Sequence, residues 1–304
     1  IKVPSERGNY TFRELVDGFN PIKHSNPKHQ LLMKLLVFAS KYKGVGLCVC
    51  SEPAFGKGIY FTLMKYIQTK VISHKSPTEA ALYHAILTND VIIFDEFTTT
   101  NKEKLYAIEN AILGLKDSSP ELPKEAMTIG AQKSAADLVK TTVIFTYNRP
   151  QDLKRKAVFI EDKWHNPNAF RSRYPRFLFE GKVTEAKSNP STAEINAMLE
   201  EKDDEMKGVA SAVSYWVQNL HKELKGWDRS ILKFEDSRHQ TNSEGWIDAI
   251  EAYCETEEEF QDYLKEVMSM KQNYDKMVKG DAVTEDGKLN IEEVSMNKLD
   301  EELI

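Results

Sequence analysis

The fold is decided by two apolar stretches: residues 44–59 read Gly-Val-Gly-Leu-Cys-Val-Cys-Ser-Glu-Pro-Ala-Phe-Gly-Lys-Gly-Ile, and residues 91–96 read Val-Ile-Ile-Phe-Asp-Glu. Continuous apolar runs of this kind are typical of parallel strands that are buried on both faces. The first run leads into a Gly-Lys turn, and the second ends in two carboxylates, Asp95 and Glu96. Open α/β sheets bind their ligands at the carboxyl ends of the strands. The two stretches therefore predict an α/β fold with a polar site at that edge of its sheet.

The turn after the first strand is similar to the phosphate-binding pattern Gly-x-x-x-x-Gly-Lys-Ser/Thr, in which backbone N–H groups and the lysine surround the phosphates. Gly56 and Lys57 fit this pattern, and Ser51 takes the place of the first glycine. Gly58 stands where a hydroxyl normally contacts Mg²⁺. On its own, the motif is equally compatible with a Gly-Lys-Gly surface turn. The predicted nucleotide-binding segment comprises Ser51, Glu52, Pro53, Ala54, Phe55, Gly56, Lys57, Gly58 and Ile59.

Two further segments complete the pattern. A third apolar run, residues 141–146, ends close to Asn148, and residues 169–179 bring three arginines into a short apolar segment. An amide at a strand end is suited to orient a water beside a terminal phosphate, whereas Asn-Arg-Pro alone would be interpreted as a turn.

The order of these motifs resembles that of the AAA+ ATPases, and most closely that of the superfamily 3 viral helicases and the MCM-like replicative helicases. Residues 95–97 are similar to the Walker B motif of the family, residues 146–149 to its sensor 1 strand end, and residues 170–174 to its arginine-finger stretch. The resemblance covers residues 27–182. It implies a P-loop AAA+ core with a parallel sheet flanked by helices, followed by a helical C-terminal domain.

The resemblance also implies roles for individual side chains. Lys57 would contact the phosphates of ATP, Asp95 would bind Mg²⁺, and Glu96 would polarise the attacking water. Asn148 would position that water. Arg173, with Arg171 as the close alternative, would reach the nucleotide of a neighbouring subunit in a homo-oligomeric ring, a hexamer being favoured. Gly58 departs from the family pattern and puts metal-dependent hydrolysis in doubt.

Charge is distributed unevenly along the 304 residues. Residues 1–182 hold 27 Lys and Arg against 18 Asp and Glu, whereas residues 183–304 hold 14 against 29. A basic half favours a polyanionic partner, and ordinary solvated faces are the alternative interpretation. We expect nucleic acid as the partner, with DNA favoured over RNA. By the same resemblance, residues 127–140 correspond to a pore hairpin with Lys133 near its tip, where a solvated lysine is the simpler interpretation.

Composition narrows the class of protein. The chain is 41% hydrophobic, which allows a full core and suggests two domains, and we find neither an apolar run long enough to span a membrane nor a signal peptide. Three cysteines without zinc spacing fit a reducing compartment and a packing role. We therefore expect a cytoplasmic protein without a membrane partner, and a viral or phage source is compatible with this.

The resemblance and the change in composition along the chain divide it into four expected parts: an N-terminal extension at 1–26, the ATPase core at 27–182, a helical lid or C-terminal domain at 183–279, and an acidic tail at 280–304. We expect Trp216, Trp227 and Trp246 to pack in the core of the helical part, and either Arg229 or Arg238 to be the arginine through which an AAA+ lid contacts nucleotide. The predicted helices cover residues 12–19, 28–42, 59–68, 78–87, 101–116, 193–205, 209–224, 245–253 and 257–278.

These features predict an ATP-driven ring motor or remodeller that acts on nucleic acid in replication, with ATP hydrolysed at subunit interfaces. The alternative is a nucleotide-binding pseudo-ATPase adaptor or helicase loader, which Gly58 favours. The intact Asp95, Glu96 and Asn148 oppose that alternative, because an inactive site would not need them. An ATPase acting on protein is a third hypothesis that the basic core makes weaker.

Overall fold

In a computed structural model, five parallel strands form one sheet with the order β2-β3-β4-β1-β5. The structure describes residues 11–18, 20, 22–67, 71–74, 79–95, 102–116, 137–138, 140–149, 166–184, 197 and 215–279. The strands are β1 (Gly46–Ser51), β2 (Val71–His74), β3 (Val91–Asp95), β4 (Thr142–Asn148) and β5 (Arg176–Phe179). An α/β fold with a parallel sheet is therefore confirmed.

Helices cover both faces of this sheet. They are α1 (Phe12–Gly18), α2 (Pro27–Ala39), α3 (Lys57–Ile67), α4 (Glu79–Thr88), α5 (Lys102–Leu115), α6 (Pro167–Arg173), α7 (Ser237–Tyr253) and α8 (Glu257–Lys279). Side chains of one sheet face pack with α1, α2, α3 and α7, and those of the other face pack with α4, α5 and α6. The crossover through α3 runs towards the β2 edge of the sheet, and the crossovers through α4, α5 and α6 run back towards the β5 edge. Because crossovers between parallel strands are right-handed, α3 is expected on one face of the sheet and α4, α5 and α6 on the other.

Asn-Pro pairs begin two of the helices. Asn26 accepts a hydrogen bond from the His29 amide at 3.1 Å, and Pro27 takes the first position of α2. Asn166 and Pro167 do the same for α6, with the Ala169 amide at 3.1 Å. Asparagine is a preferred N-cap, and proline is tolerated in the first turn because its missing N–H would be unpaired there.

The C-terminal helices share the hydrophobic core of the sheet. Trp246 of α7 is fully buried against Phe177 and Phe179 of β5, and its indole N–H donates to the Leu32 carbonyl of α2 at 3.0 Å. Helix α8 lies alongside β5, the edge strand, with Tyr274 packing on one sheet face and Met270 on the other. This helix covers a sheet edge that would otherwise present unpaired backbone groups.

The described elements follow most of the sequence predictions. The helix predicted at 59–68 is α3 (Lys57–Ile67), and all three cysteines are buried as expected. The tryptophans pack in a hydrophobic core, but that core is shared with the sheet and does not belong to the helical part alone. The helix predicted at 245–253 is present but begins eight residues earlier, at Ser237, where Asp236 caps it by accepting from the Arg238 amide. The helix predicted at 193–205, the hairpin at 127–140 and the tail at 280–304 lie wholly or mostly outside the described residues. Among those residues, no helix combines the length and the apolar character that crossing a bilayer requires.

Candidate functional site

We call the space beyond the carboxyl ends of β1 and β4 the crevice. These strands are neighbours, with Ser51 paired with Asn148 in register, but the chain leaves them in opposite directions. After β1 it crosses to β2 at one edge of the sheet, and after β4 it crosses over β1 to β5 at the other. Such a topological switch point is where open α/β sheets bind their ligands.

The loop after β1, residues 52–56, forms one wall of the crevice and has an unusual backbone. Ala54 has φ of 65° and Gly56 has φ of 91°, both in the left-handed region. A Cβ on Gly56 would come within 2.7 Å of Ile22 and 3.2 Å of Val183, so that both the conformation and the space require glycine. Left-handed backbone at a non-glycine residue is costly and concentrates at ligand-binding loops.

Aromatic packing holds this loop in place. Phe55 is buried, and its ring lies 4.5 Å from the His24 ring and 5.6 Å from the Phe179 ring. The Val183 amide donates to the Ala54 carbonyl at 3.0 Å. The His24 imidazole is partly buried at this contact, and burial is the main cause that lowers its pKa. The loop is thus preorganised by the segment before α2 and the segment after β5.

Lys57 begins α3 at the end of this loop and reaches across the crevice. Its ammonium donates to the side-chain carbonyl of Asn148 at 2.9 Å. The first backbone N–H groups of a helix and its macrodipole give this end a positive potential. Lys57 and the start of α3 therefore place a cation and backbone donors opposite an exposed amide.

Asp95 lies beside the same strand end. It pairs in register with Thr146 of β4, and the Thr146 hydroxyl donates to its Oδ1 at 2.7 Å. Thr146 and Asn148 are two residues apart and so face the same side of the sheet, about 6.6 Å from each other along the strand. Strand β4 thus brings the carboxylate of β3 and the lysine that follows β1 to one side of the crevice.

Gly58 follows Lys57 and is exposed, and a Cβ placed on it would have no atom within 4 Å. The absence of a hydroxyl at this position is therefore not imposed by neighbouring atoms. In the described part of the chain, no group of three or more His, Cys, Asp or Glu side chains could hold a metal ion. A lone Asp95 is compatible with Mg²⁺, which proteins commonly hold through one or two carboxylates together with substrate phosphates.

An ion-pair cluster links three strand ends at the same edge. Arg149 lies 3.4 Å from Glu52 Oε1 and 3.8 Å from Glu180 Oε1. The other oxygen of Glu52 accepts the Gly181 amide at 3.0 Å. This cluster makes Arg149 a brace between the ends of β1, β4 and β5.

The two candidate arginines lie on α6 and point to different sides of it, because residues two apart on a helix are separated by about 200°. Phe170 and Tyr174 anchor α6 on the sheet, with both rings within 5.4 Å of the Phe145 ring. Arg171 lines a cleft of about 330 Å³ between α6, α7 and α8. Arg173 does not line that cleft, and its guanidinium donates to the Ala169 carbonyl at 3.0 Å.

The remaining candidates are divided between structural contacts and residues that the structure does not describe. Arg229 is paired with Asp248 and Glu251, and Arg238 is paired with Asp236. Glu96 and Lys133 lie outside the described residues. Sequence reasoning missed the contact of Thr146 with Asp95, although the period-two spacing of Thr146 and Asn148 could have indicated their shared face. It also missed His24, for which the sequence offers no signal.

No known protein-family model matches this chain, and a comparison with curated proteins finds no match. The functional conclusion therefore rests on the residues of the crevice.

Proposed function

We propose that this chain is a P-loop ATPase of the AAA+ type that works as a ring motor or remodeller on nucleic acid. The observation that carries the proposal is the 2.9 Å hydrogen bond between Lys57 and Asn148 across the switch point of the sheet. It joins the predicted phosphate-binding lysine to the predicted water-positioning amide. These residues are 91 positions apart in sequence, so nothing local requires them to meet.

Phosphate binding is supported by three groups that converge on the crevice. Loop 52–56 brings its backbone into the left-handed region at Ala54 and Gly56, α3 presents its N-terminus, and Lys57 adds a positive charge. Each of these features favours an anion, and together they favour several charges close to one another. The terminal phosphates of a nucleotide fit this arrangement.

Hydrolysis needs a metal site, a base and a positioned water. Asp95 fits a Mg²⁺ ligand, since its Oδ1 is fixed by Thr146 while its Oδ2 makes no hydrogen bond within the described part of the chain. The ion would neutralise charge on the phosphates. Glu96 follows directly as the proposed base, and Asn148 would release Lys57 to the phosphates and orient the water.

The arginines of α6 support the proposed assembly of several subunits into a ring. Arg173 lies on the side of α6 away from the cleft that Arg171 lines, which favours Arg173 as the residue that reaches a neighbouring subunit. An arginine supplied in trans stabilises the charge that develops during phosphoryl transfer. The basic half of the chain supports nucleic acid as the partner, with contacts from the segment that includes Lys133.

A nucleotide-binding adaptor without hydrolysis is the second candidate, and Gly58 is the observation that favours it. Space for a hydroxyl is available at this position, yet the chain does not use it. The metal would then rely on Asp95, water and phosphate oxygens. Such a protein would bind ATP as a ring adaptor or loader and show no turnover.

Titration of the full chain with ATP and Mg²⁺ tests the proposal. Lys57→Ala should abolish binding, because it removes the lysine of the phosphate-binding loop. Lys233→Ala removes an exposed lysine just before α7 and should change nothing. Unchanged ATP affinity in Lys57→Ala would end the P-loop assignment.

Turnover in the presence of nucleic acid separates the two candidates. Glu96→Gln should keep ATP affinity and lose hydrolysis, because the amide keeps the shape of the base without its proton affinity. A wild-type protein that binds ATP but never hydrolyses it, with DNA or RNA added, would favour the adaptor.

A further inference from the structure

The last carbonyl groups of α6 need partners from outside the helix. An α-helix leaves its final four carbonyls without intrahelical donors. Helix α6 has seven residues, ends at Arg173 and continues into extended backbone at Tyr174, so it offers few donors of its own. The segment also carries both candidate arginines, which makes the fixing of its backbone relevant to function.

Helix α7 supplies two of the missing donors. The Nε2 of His239 lies 2.5 Å from the Arg171 carbonyl oxygen, and the Asn242 amide donates to the Arg173 carbonyl at 2.5 Å. His239 and Asn242 are three residues apart and so share one face of α7. Both are buried, with exposures of 5% and 6%. One turn of α7 therefore holds the backbone of both arginine residues.

His239 acts in this contact as a neutral donor. A carbonyl oxygen only accepts, so Nε2 carries the proton and Nδ1 is the unprotonated nitrogen. Within the described part of the chain, the buried Nδ1 has no hydrogen-bond partner. Burial is the main cause that lowers the pKa of His239. The hydrogen bond to the Arg171 carbonyl and the charge of Asp236 oppose this shift, whereas Lys271 and Arg176 add to it. The imidazole thus remains uncharged at neutral pH and resembles an amide donor.

We propose that His239 and Asn242 are positioning residues for the arginine that acts across the subunit interface. They hold α6 between the sheet, where Phe170 and Tyr174 pack, and the C-terminal helices. A helix of two turns has little stability of its own, so its direction depends on these contacts. A displacement of about 1 Å in a reacting group lowers turnover on the order of 10²-fold. This inference rests on the proposed function and adds the C-terminal helices to it.

Five variants of the full chain separate positioning from general damage. Asn242→Asp keeps the shape but replaces the donor with an acceptor, and Gln240→Glu is its matched control because it adds the same charge at an exposed site on α7. His239→Ala removes the second donor, and His239→Gln should restore function because its amide places a donor close to the position of Nε2. Ser243→Ala controls for truncation of a buried polar side chain on the same helix.

The expected result is a change in kcat without a change in ATP affinity. Asn242→Asp and His239→Ala should lower kcat on the order of 10²-fold, because each subunit binds ATP through its own Lys57. Amide hydrogen exchange across Pro167–Arg173 should rise in the same two variants. The control variants and His239→Gln should remain within about threefold of the wild-type kcat, since a threefold change is less than 1 kcal/mol.

Mixing subunits shows on which side of the interface the defect lies. His239→Ala subunits keep an intact phosphate loop, and Lys57→Ala subunits keep an intact arginine, so that the mixture should recover activity. His239→Ala mixed with Arg173→Ala should not recover, because neither subunit then supplies a positioned arginine. Recovery in neither mixture would overturn the inference.

The remaining outcomes distinguish this inference from the proposed function. If the wild-type chain does not bind ATP, both the proposed function and the positioning role are wrong. Turnover that Arg173→Ala lowers but that Asn242→Asp and His239→Ala leave unchanged ends the positioning role alone. Unaltered hydrogen exchange in α6 of both variants would also overturn it, even where kcat falls.

Discussion

Two charged regions of this molecule are built in opposite ways. Around α7, the carboxylates of Asp248 and Glu251 have side-chain exposures of 2% and 0%, and Arg229 lies 2.8 Å and 2.5 Å from them. Lys43 lies 2.7 Å from the other oxygen of Asp248. In the crevice, Asn148 is exposed, and the ammonium of Lys57 donates to its neutral amide.

The difference indicates what each region is for. Buried charges must be paired and hydrogen-bonded, since leaving either partner alone is costly. Burial opposes the ionisation of Glu251, but the hydrogen bonds from Arg229 and from the Lys225 and Gly226 amides outweigh it and lower the pKa of Glu251. The region around α7 is complete within the chain. The crevice instead brings a buried lysine and a helix N-terminus up to an exposed amide, which suits a ligand that brings negative charge.

Removing one charge around α7 should produce the largest loss of stability. Glu251→Ala leaves Arg229 underpaired and takes the acceptor away from the Lys225 and Gly226 amides. We expect a loss of about 3–5 kcal/mol in the free energy of unfolding, measured by urea denaturation of the full chain. Glu251→Gln should lose less, because its amide oxygen still accepts from the backbone. A loss below about 1 kcal/mol would place this cluster with ordinary surface ion pairs.

The corresponding change in the crevice should affect activity more than stability. Asn148→Ala removes an exposed amide and one acceptor of the buried Lys57, so that the free energy of unfolding should fall by about 1 kcal/mol, less than the loss at Glu251. Turnover should fall about 10²-fold, since the water loses its orienting group. ATPase rates and denaturation curves of the same preparation check both statements. A marked loss of stability would mean that the bond from Lys57 serves the fold.

The apolar content of each strand explains how much of the fold could be predicted from sequence. Strands β1, β3 and β4 are continuous apolar runs, and the predictions for them are confirmed. Strand β2 has only two aliphatic residues, Val71 and Ile72, in its four positions, so it carries no comparable signal. The strand order was not predictable from any single segment, because β1 and β4 become neighbours only through tertiary packing. The sequence therefore suggested Lys57 and Asn148 separately but not the bond between them.

The C-terminal helices were harder to predict for a local reason. The first eight residues of α7 are mostly polar, and Gly245 has the appearance of a helix boundary. The structure places Gly245 inside the helix, where a Cβ would come within 2.9 Å of the Lys43 side chain and 3.3 Å of its carbonyl oxygen. Glycine is used there for close approach rather than for termination. Asn166-Pro167 did carry a helix-start signal, which the sequence prediction did not use.

The buried lysine Lys116 extends the comparison, because the stability that depends on it should vary with pH. Lys116 donates to the Thr141 carbonyl at 2.6 Å, and burial lowers its pKa to about 7 from an ordinary value of 10.5. Between these values the unfolded chain binds the proton and the folded chain does not. Stability should therefore rise with pH from about 7 towards 10.5, by at most about 1.4 kcal/mol per pH unit.

The measurement is the free energy of unfolding as a function of pH in wild type and in Lys116→Met. Methionine keeps the length of the side chain, whose carbons lie against Gly46, and removes the titrating group. The rise above pH 7 should become flatter in Lys116→Met. Lys140→Met, at an exposed lysine close by, should keep the wild-type slope. Equal slopes in all three proteins would mean that Lys116 stays charged in the folded state.

The smallest expected change in turnover is that of a substitution at Gly58. It distinguishes an active ATPase from a nucleotide-binding adaptor. Gly58→Thr adds a hydroxyl at the start of α3, where a Cβ has no atom within 4 Å, so the fold should accept it. If the crevice binds Mg²⁺ with ATP, the hydroxyl supplies a further metal ligand, and Mg²⁺-dependent turnover should rise about tenfold, which corresponds to about 1.4 kcal/mol. Gly58→Ala is the control, because it also replaces the glycine in the first turn of α3 but adds no hydroxyl. Higher turnover in Gly58→Thr than in Gly58→Ala would identify the missing ligand as the limit on catalysis, whereas equal rates would show that this position does not contact the metal.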